Sequence, residues 1–255
     1  MNTVAIIPAR MGASRFPGKP MHKISGIPMI GHCFYRVQKT PGIVDTYVAT
    51  CDQVIADYID SIGGKVIMTS SSHTRATGRS SEAMEKIEKS TGQKIDLVIM
   101  VQGDEPLVQP EDISNIIPHF QSMEVEVVNL MARLTSQEKF VDKNNVKVVV
   151  NQNMDALYFS REAIPSLWKG TDVPMYMQVG VIAFRRDVLY RFEQMPETRL
   201  EQIESVDMNR ILETGGKIRM VMTHAEMIGV DTPEEADYVS QQIVNDPLFK
   251  EYSAL

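Results

Sequence analysis

The stretch IIPARMGASRFPGKP, residues 6–20, decides how the rest of the chain is read. It begins as a short apolar run and turns at once into a loop of small residues. Within that loop stand Arg10, Arg15 and Lys19, with Met11 and Phe16 as the large apolar interruptions. An apolar run that breaks into a glycine-containing loop is how a buried strand of a parallel sheet hands over to the next helix. There, backbone N–H groups and cationic side chains can gather around an anion. The loop matches neither the Walker A pattern nor the Rossmann glycine fingerprint, which disfavours a P-loop enzyme and a dinucleotide-dependent dehydrogenase.

Outward from that loop, short apolar runs recur at Val4 to Ile7, Thr46 to Ala49, Lys65 to Thr69 and Leu97 to Val101. Strands covered on both faces read as such near-continuous runs. Between them lie segments of helical period. Met29, Ile30, Cys33, Phe34 and Val37 share one face behind Pro28, and Val54, Ile55, Tyr58 and Ile62 share another. Ser81 to Glu88 is a third helix candidate. The alternation predicts a mixed, mostly parallel α/β sheet with helices on both faces. From about residue 125 the pattern changes. Glu124 to Leu134, Lys147 to Asn151, Ala156 to Ser160 and Gln178 to Arg185 read as strands with fewer helices between them. This predicts an extension of the sheet or a subdomain over its open edge. Leu200 to Glu213 reads as one helix closed by Gly215-Gly216, and Lys217 to Thr223 as a strand. Pro233 opens a last helix, capped by Asp231 or Thr232, with Glu234 and Glu235 in its first turn. No linker divides the chain, so 1–255 is expected to be one domain, with about 125–200 as the extension.

The chain has 255 residues, 43% of them hydrophobic, enough for a substantial core. Its formal net charge of -7 argues against binding nucleic acid or anionic membrane broadly, while allowing a local basic pocket. No run approaches the ~18 apolar residues of a membrane span, and the opening VAII is too short for a signal peptide. The two cysteines, Cys33 and Cys51, form no disulfide or metal pattern, which fits a reducing cytoplasm. The five histidines show no metal-ligand spacing, so solvated or hydrogen-bonded roles are expected. Met100, Met123, Met131, Met220 and Met222 are expected to pack in the core. Trp168, in a loop, is expected to cover a site or to pack.

Ligands of open α/β sheets bind beyond the carboxyl ends of the strands. The opening loop, VQGDEP after the fourth strand and GVDTPEE after the late strand should therefore converge. Asp104 is placed there to hold Mg2+, a hard cation that prefers oxygen and shares phosphate. Asp231 is a second ligand or a helix cap. Glu105 precedes a proline and is expected to be structural. Gln102 can both donate to and accept from a base edge.

IIPARMGASRFPGKP, VQGDEPLV, NVKVVV, ALYFSREAIP and GVDTPEEAD, in this order and spacing, resemble the 3-deoxy-manno-octulosonate (Kdo) cytidylyltransferases, the CMP-Kdo synthetases. The resemblance runs from Ile6 to about Val239. It implies a nucleotide-diphospho-sugar transferase-like fold and a cytoplasmic homodimer, with about 125–200 serving acceptor binding and dimerisation. The implied reaction moves CMP from CTP to the anomeric hydroxyl of a sugar acid and releases pyrophosphate. Its product would serve lipopolysaccharide or a related surface glycan. By matching positions, Arg10, Ser14, Arg15 and Lys19 would hold the triphosphate. Arg79 and Gln102 would lie near cytosine and ribose, and Asp104 and Asp231 would hold Mg2+. Arg161 would meet the acid's carboxylate, and Gln178 and Asp207 would face the sugar.

The chain departs from the family's usual residues in three places. HTRATGR carries Arg75, Ala76 and Gly78 where serine, glycine and an acid are usual. MQVGVIAF carries Gln178 for histidine, with Ile182 and Phe184 for two tyrosines. VDMNR carries Asp207 and Met208 for glutamate and glutamine, and keeps Arg210. These changes are expected to strip polar groups from the side that reads the sugar. They leave open a different acceptor, another nucleotide, or a nucleotide-binding homologue without catalysis.

Overall fold

The computed structural model describes residues 1–12, 15–170, 173–225 and 227–254. Its strands are β1 (Thr3–Ala9), β2 (Lys23–Ile24), β3 (Ile27–Pro28), β4 (Asp45–Thr50), β5 (Lys65–Met68), β6 (Leu97–Val101), β7 (Val127–Arg133), β8 (Lys147–Val150), β9 (Ala156–Ser160), β10 (Tyr176–Arg185) and β11 (Arg219–Met222). The helices are α1 (Met29–Val37), α2 (Gln53–Ser61), α3 (Ala76–Thr91), α4 (Pro110–Ser114), α5 (Gln137–Val141), α6 (Arg186–Gln194), α7 (Arg199–Glu204), α8 (Met208–Glu213), α9 (Pro233–Ile243) and α10 (Pro247–Tyr252).

One nine-stranded sheet runs in the order β11-β7-β10-β6-β1-β4-β5. β6, β1, β4 and β5 are parallel, as are β11 and β7, and β10 runs antiparallel between β6 and β7. The β8–β9 hairpin branches from the start of β10. The segment beyond residue 125 therefore extends the sheet itself: β7 and β10 lie inside it.

Alternation along the buried strands divides the core in two. Val4 and Ile6 of β1 pack with Ala83, Met84 and Ile87 of α3. Ala5 and Ile7 face the other way, against Ile30, Phe34 and Val37 of α1 and Ile55 and Ile59 of α2. β1 and β6 thus bury both faces, which is why their runs carry almost no polar residue.

Three expectations about the second half change. The predicted helix over Leu200 to Glu213 is two helices, because Ser205 adopts a left-handed conformation (φ 52°) that ends α7. Pro233 does not open the last helix: α10 follows, started by Asp246, whose carboxylate accepts from the Leu248 N–H, and Pro247. Ile182, Phe184 and Met208 do not face a ligand site, since all three are buried in the α3-side core. Two further expectations also change. Met123 is 78% exposed and does not pack in the core, and Trp168, at 87% exposed, loses the packing alternative of its two expected roles. Met222 is only partly buried at the margin of the core. Cys33 is fully buried, as expected.

Buried polar groups tie the outer helices down. Arg210 of α8 holds Glu201 of α7 through two bonds of 2.7 and 2.6 Å, donates to the Phe192 and Met195 carbonyls and stacks on the Phe192 ring. Arg210 is therefore kept for architecture. Replacing it with Met strands the fully buried Glu201 carboxylate, and unfolding in urea should show a loss of roughly 3–5 kcal/mol.

α10 is clamped on α1 by His32, Arg36 and Tyr252. The Ile24 carbonyl can only accept, so His32 Nε2 carries its proton and donates to it, and Nδ1 accepts from the Tyr252 hydroxyl at 2.7 Å. Burial, with Arg36 nearby, pushes the His32 pKa down to about 4. A histidine whose folded pKa is depressed is neutral in the native state and protonates first in the unfolded chain. Stability should therefore fall as pH drops from about 6.5 to about 4, by roughly 3 kcal/mol from this group. Urea midpoints across that range should show the slope in the wild type and a flatter one in His32→Gln.

Candidate active site

The expected convergence of three loops occurs beyond the carboxyl ends of β1 and β6. The opening loop is anchored by the Met11 N–H on Asp52 (2.8 Å) and closed by the Gly18 N–H on the Met11 carbonyl (3.0 Å). Gly18 sits at φ 75°, a conformation that side chains strain to adopt. This turn delivers Lys19, whose Nζ donates to Asp104 Oδ2 at 2.6 Å, to Asp231 Oδ1 at 2.9 Å and to the Val230 carbonyl at 3.2 Å. Arg15 donates to the other Asp231 oxygen at 2.7 Å and to Asn144 Oδ1 at 2.6 Å. Burial opposes the Lys19 charge, but the two carboxylates outweigh it and raise the pKa. Below that value the ammonium and its stabilisation are present, so nothing changes around neutral pH.

The question of Asp231 as cap is settled by Thr232. Its hydroxyl accepts from the Glu235 N–H, and the Glu235 carboxylate accepts from the Thr232 N–H, a complete capping box for α9. The Asp231 carboxylate is left to the cations.

These residues line one cavity of about 480 Å³. Arg10 lies on its wall and donates to the His73 carbonyl at 3.5 Å. Ser14 lies outside the described residues. Gln102 lines the cavity. Arg79 also lines it but is 2% exposed and donates to Thr69 Oγ1 and to the Ser70 and His73 carbonyls, so it braces the β5–α3 loop. Asp104 and Asp231 offer only oxygen and already share one cation. That donor set suits Mg2+ shared with phosphate oxygens.

The far end of the cavity is built from the sheet extension. Arg161, just after β9, donates from Nε to the Glu204 carbonyl (2.8 Å) and from Nη1 to the Lys143 carbonyl (2.9 Å). Glu204 in turn accepts from Tyr158, Ser160 and the Arg161 N–H. Asp207 accepts from the Thr77 hydroxyl at 2.7 Å, and burial raises its pKa against the pull of Thr77 and Arg75. Gln178 donates to Asn129 Oδ1 at 2.8 Å. Of the departures from the family's usual residues, Arg75, Ala76, Gln178 and Asp207 line the cavity, whereas the Ile182, Phe184 and Met208 changes belong to core packing.

Several residues outside the sequence reading shape this end. Lys147 of β8 is buried, and its ammonium donates to the carbonyls of Asp142 (2.7 Å), Asn145 (2.6 Å) and Arg161 (2.6 Å). Burial lowers its pKa. It draws the 142–145 loop, and with it Asn144, towards Arg161. Between Gln178 and Ile182 the β7–β10 register shifts, and the Asn129 amide donates to the Leu130, Val179 and Val181 carbonyls there. Glu105 completes the repair by accepting from the Gly180 N–H at 2.8 Å. Its burial, reinforced by Asp104, pushes its pKa up to about 8. Glu105 is thus structural, as expected, and holds the β6 turn against β10.

Comparison with known proteins agrees with this geometry. A family model described as Cytidylyltransferase matches residues 4–218. The chain is 39% identical to the 8-amino-3,8-dideoxy-manno-octulosonate cytidylyltransferase of Shewanella piezotolerans, over 92% of this chain and 96% of that one. It is 38% identical to the 3-deoxy-manno-octulosonate cytidylyltransferase of Thermodesulfovibrio yellowstonii, over 96% of this chain and 99% of that one. The solved structure of CMP:2-keto-3-deoxy-manno-octonic acid synthetase complexed with CTP superposes with a TM-score of 0.88 at 36% identity, covering 96% of this chain and all of that one. Among the described residues no helix is long and apolar enough to cross a membrane. With its motifs, its sheet order and these relatives in agreement, the chain belongs to the 3-deoxy-manno-octulosonate cytidylyltransferase family.

Proposed function

We propose that the chain transfers CMP from CTP to the anomeric hydroxyl of a Kdo-like sugar acid, releasing pyrophosphate, with Mg2+ held by Asp104 and Asp231. The observation that carries this reading is the Lys19 ammonium lodged between those two carboxylates at the mouth of the opening loop. Attack of a hydroxyl on an α-phosphate requires little covalent help. It requires alignment and neutralisation of charge on phosphate and departing pyrophosphate. Arg10, Ser14, Arg15 and Lys19 are assigned to the triphosphate, with Lys19 beside the α-phosphate. Gln102 reads cytosine, and Arg79 keeps the wall behind it in place. Arg161 takes the acid's carboxylate, and Gln178 and Asp207 take sugar hydroxyls. Mg2+, when bound, would neutralise phosphate charge and lower the pKa of a coordinated hydroxyl. A cytoplasmic homodimer, with residues 125–200 contributing to acceptor binding and contact, completes the proposal.

Pyrophosphate release from CTP with Kdo and with the 8-amino acid tests it. Turnover should require Mg2+, disappear in EDTA and fall by at least about a hundredfold in Asp104→Asn and in Lys19→Ala. Wild-type protein inert towards both acids would reject the reading.

The division of labour at the start of α9 gives a paired test. Asp231→Asn should abolish most pyrophosphate release while α9 keeps its cap, so the melting temperature should fall only by what the Lys19 and Arg15 pairs contribute. Thr232→Ala should do the reverse, losing about 1 kcal/mol of stability and keeping turnover.

A further inference from the structure

We propose that Arg75 and Arg161 form a two-cation subsite, and that the acceptor carries a second anionic group, a phosphate or another carboxylate, besides the carboxylate taken by Arg161. The inference rests on the function proposed above and narrows its substrate class.

The two guanidinium groups come from distant parts of the chain and meet at one turn. Arg161 Nε donates to the Glu204 carbonyl, and Arg75 Nη1 donates to the hydroxyl of the next residue, Ser205, at 3.2 Å. Both residues line the cavity. At the turn made by the left-handed Ser205, Arg161 is held by the Glu204 carbonyl and Arg75 by the Ser205 hydroxyl.

Neither group has a carboxylate within ion-pair distance among the described residues. Glu204 approaches Arg161, but its oxygens are engaged by Tyr158, Ser160 and the Arg161 N–H. Asp207 lies in the field of Arg75 without pairing to it, and accepts from Thr77 instead. Arg75 therefore spends one N–H on a neutral hydroxyl and keeps the rest of its fork for the cavity. A half-buried guanidinium loses solvation that a neutral hydroxyl repays poorly; an anion repays it with charge-assisted, often bidentate bonds. Arg75 also precedes the sixteen-residue α3, which has no side-chain cap, so the helix dipole adds to the positive potential.

The other end differs. Lys19 and Arg15 are ion-paired with Asp104 and Asp231, and Arg10 donates to the His73 carbonyl. At the acceptor end both guanidiniums bond neutral partners, while the nearby carboxylates of Glu204 and Asp207 bond groups other than those guanidiniums.

Two measurements test the proposal. Inorganic phosphate is titrated calorimetrically into the CTP-loaded protein in EDTA, with the triphosphate loop filled. The wild type should bind phosphate, and Arg75→Ser and Arg75→Ala should each weaken that binding about ten- to a hundredfold while CTP affinity holds. Undetectable phosphate binding in the wild type, or unchanged binding in both variants, would overturn the proposal. Pyrophosphate release is then compared between Kdo and a set of its phosphate esters and dicarboxylate analogues. Doubly anionic acceptors should lead in kcat/KM for the wild type, with the preference expressed in KM and lost in Arg75→Ser. A wild-type preference for Kdo or for its 8-amino analogue would overturn the inference but leave cytidylyl transfer standing. Phosphate binding that depends on Arg75 without turnover of any acid would reject the function and keep the subsite.

Discussion

The ammonium of Lys19 between Asp104 and Asp231 is the contact on which the rest of the site depends. Two carboxylates a few ångströms apart repel by about 1 kcal/mol in water and about 4 kcal/mol near a protein surface. The Lys19 ammonium between them offsets that repulsion. β6 delivers Asp104 and the segment entering α9 delivers Asp231, so the sheet creates the repulsion and the opening loop resolves it. The cationic character of residues 6–20 is thus a structural requirement as well as a binding device. The same arrangement explains why Thr232 and Glu235 cap α9 alone: an aspartate engaged by Lys19 and Arg15 is not available to a helix terminus.

Much of the fold could be read from residue order because its causes are local. The apolar runs at β1, β4 and β6 and the helical stripe of α1 are period signals, and the rule that ligands gather beyond strand ends carried the three loops to one crevice. What escaped the reading depends on partners far along the chain or on single backbone angles. Nothing around Lys147 announces that its ammonium will bind three backbone carbonyls. Nothing around Asn129 announces a register shift to be repaired. Ser205 in a helical pattern gives little warning of a left-handed break. Ile182 and Phe184 alternate along β10 like any strand residues, and only the layering of α3 and α6 shows that both end in the core.

The two ends of the cavity are built by different means. The end proposed for the nucleotide hangs on parallel strands and a loop closed by side-chain charges. The end proposed for the acceptor hangs on the β8–β9 hairpin, on the α7–α8 turn and on the strand irregularity stitched by Asn129 and Glu105. Changes at Arg75, Gln178 and Asp207 alter the second without touching the first. A family can in this way keep one activated nucleotide and vary what receives it.

Lys147 gives that division a consequence in ionic strength. Its charge is solvated by carbonyl oxygens in the protein interior, much as a small monovalent ion would be, and no mobile counter-ion reaches it. The Arg15–Asp231 pair is partly open to solvent and falls under ordinary screening, over a Debye length of about 8 Å at physiological salt. Rising salt therefore loosens the mouth of the nucleotide site, while the frame that presents Arg161 keeps its shape.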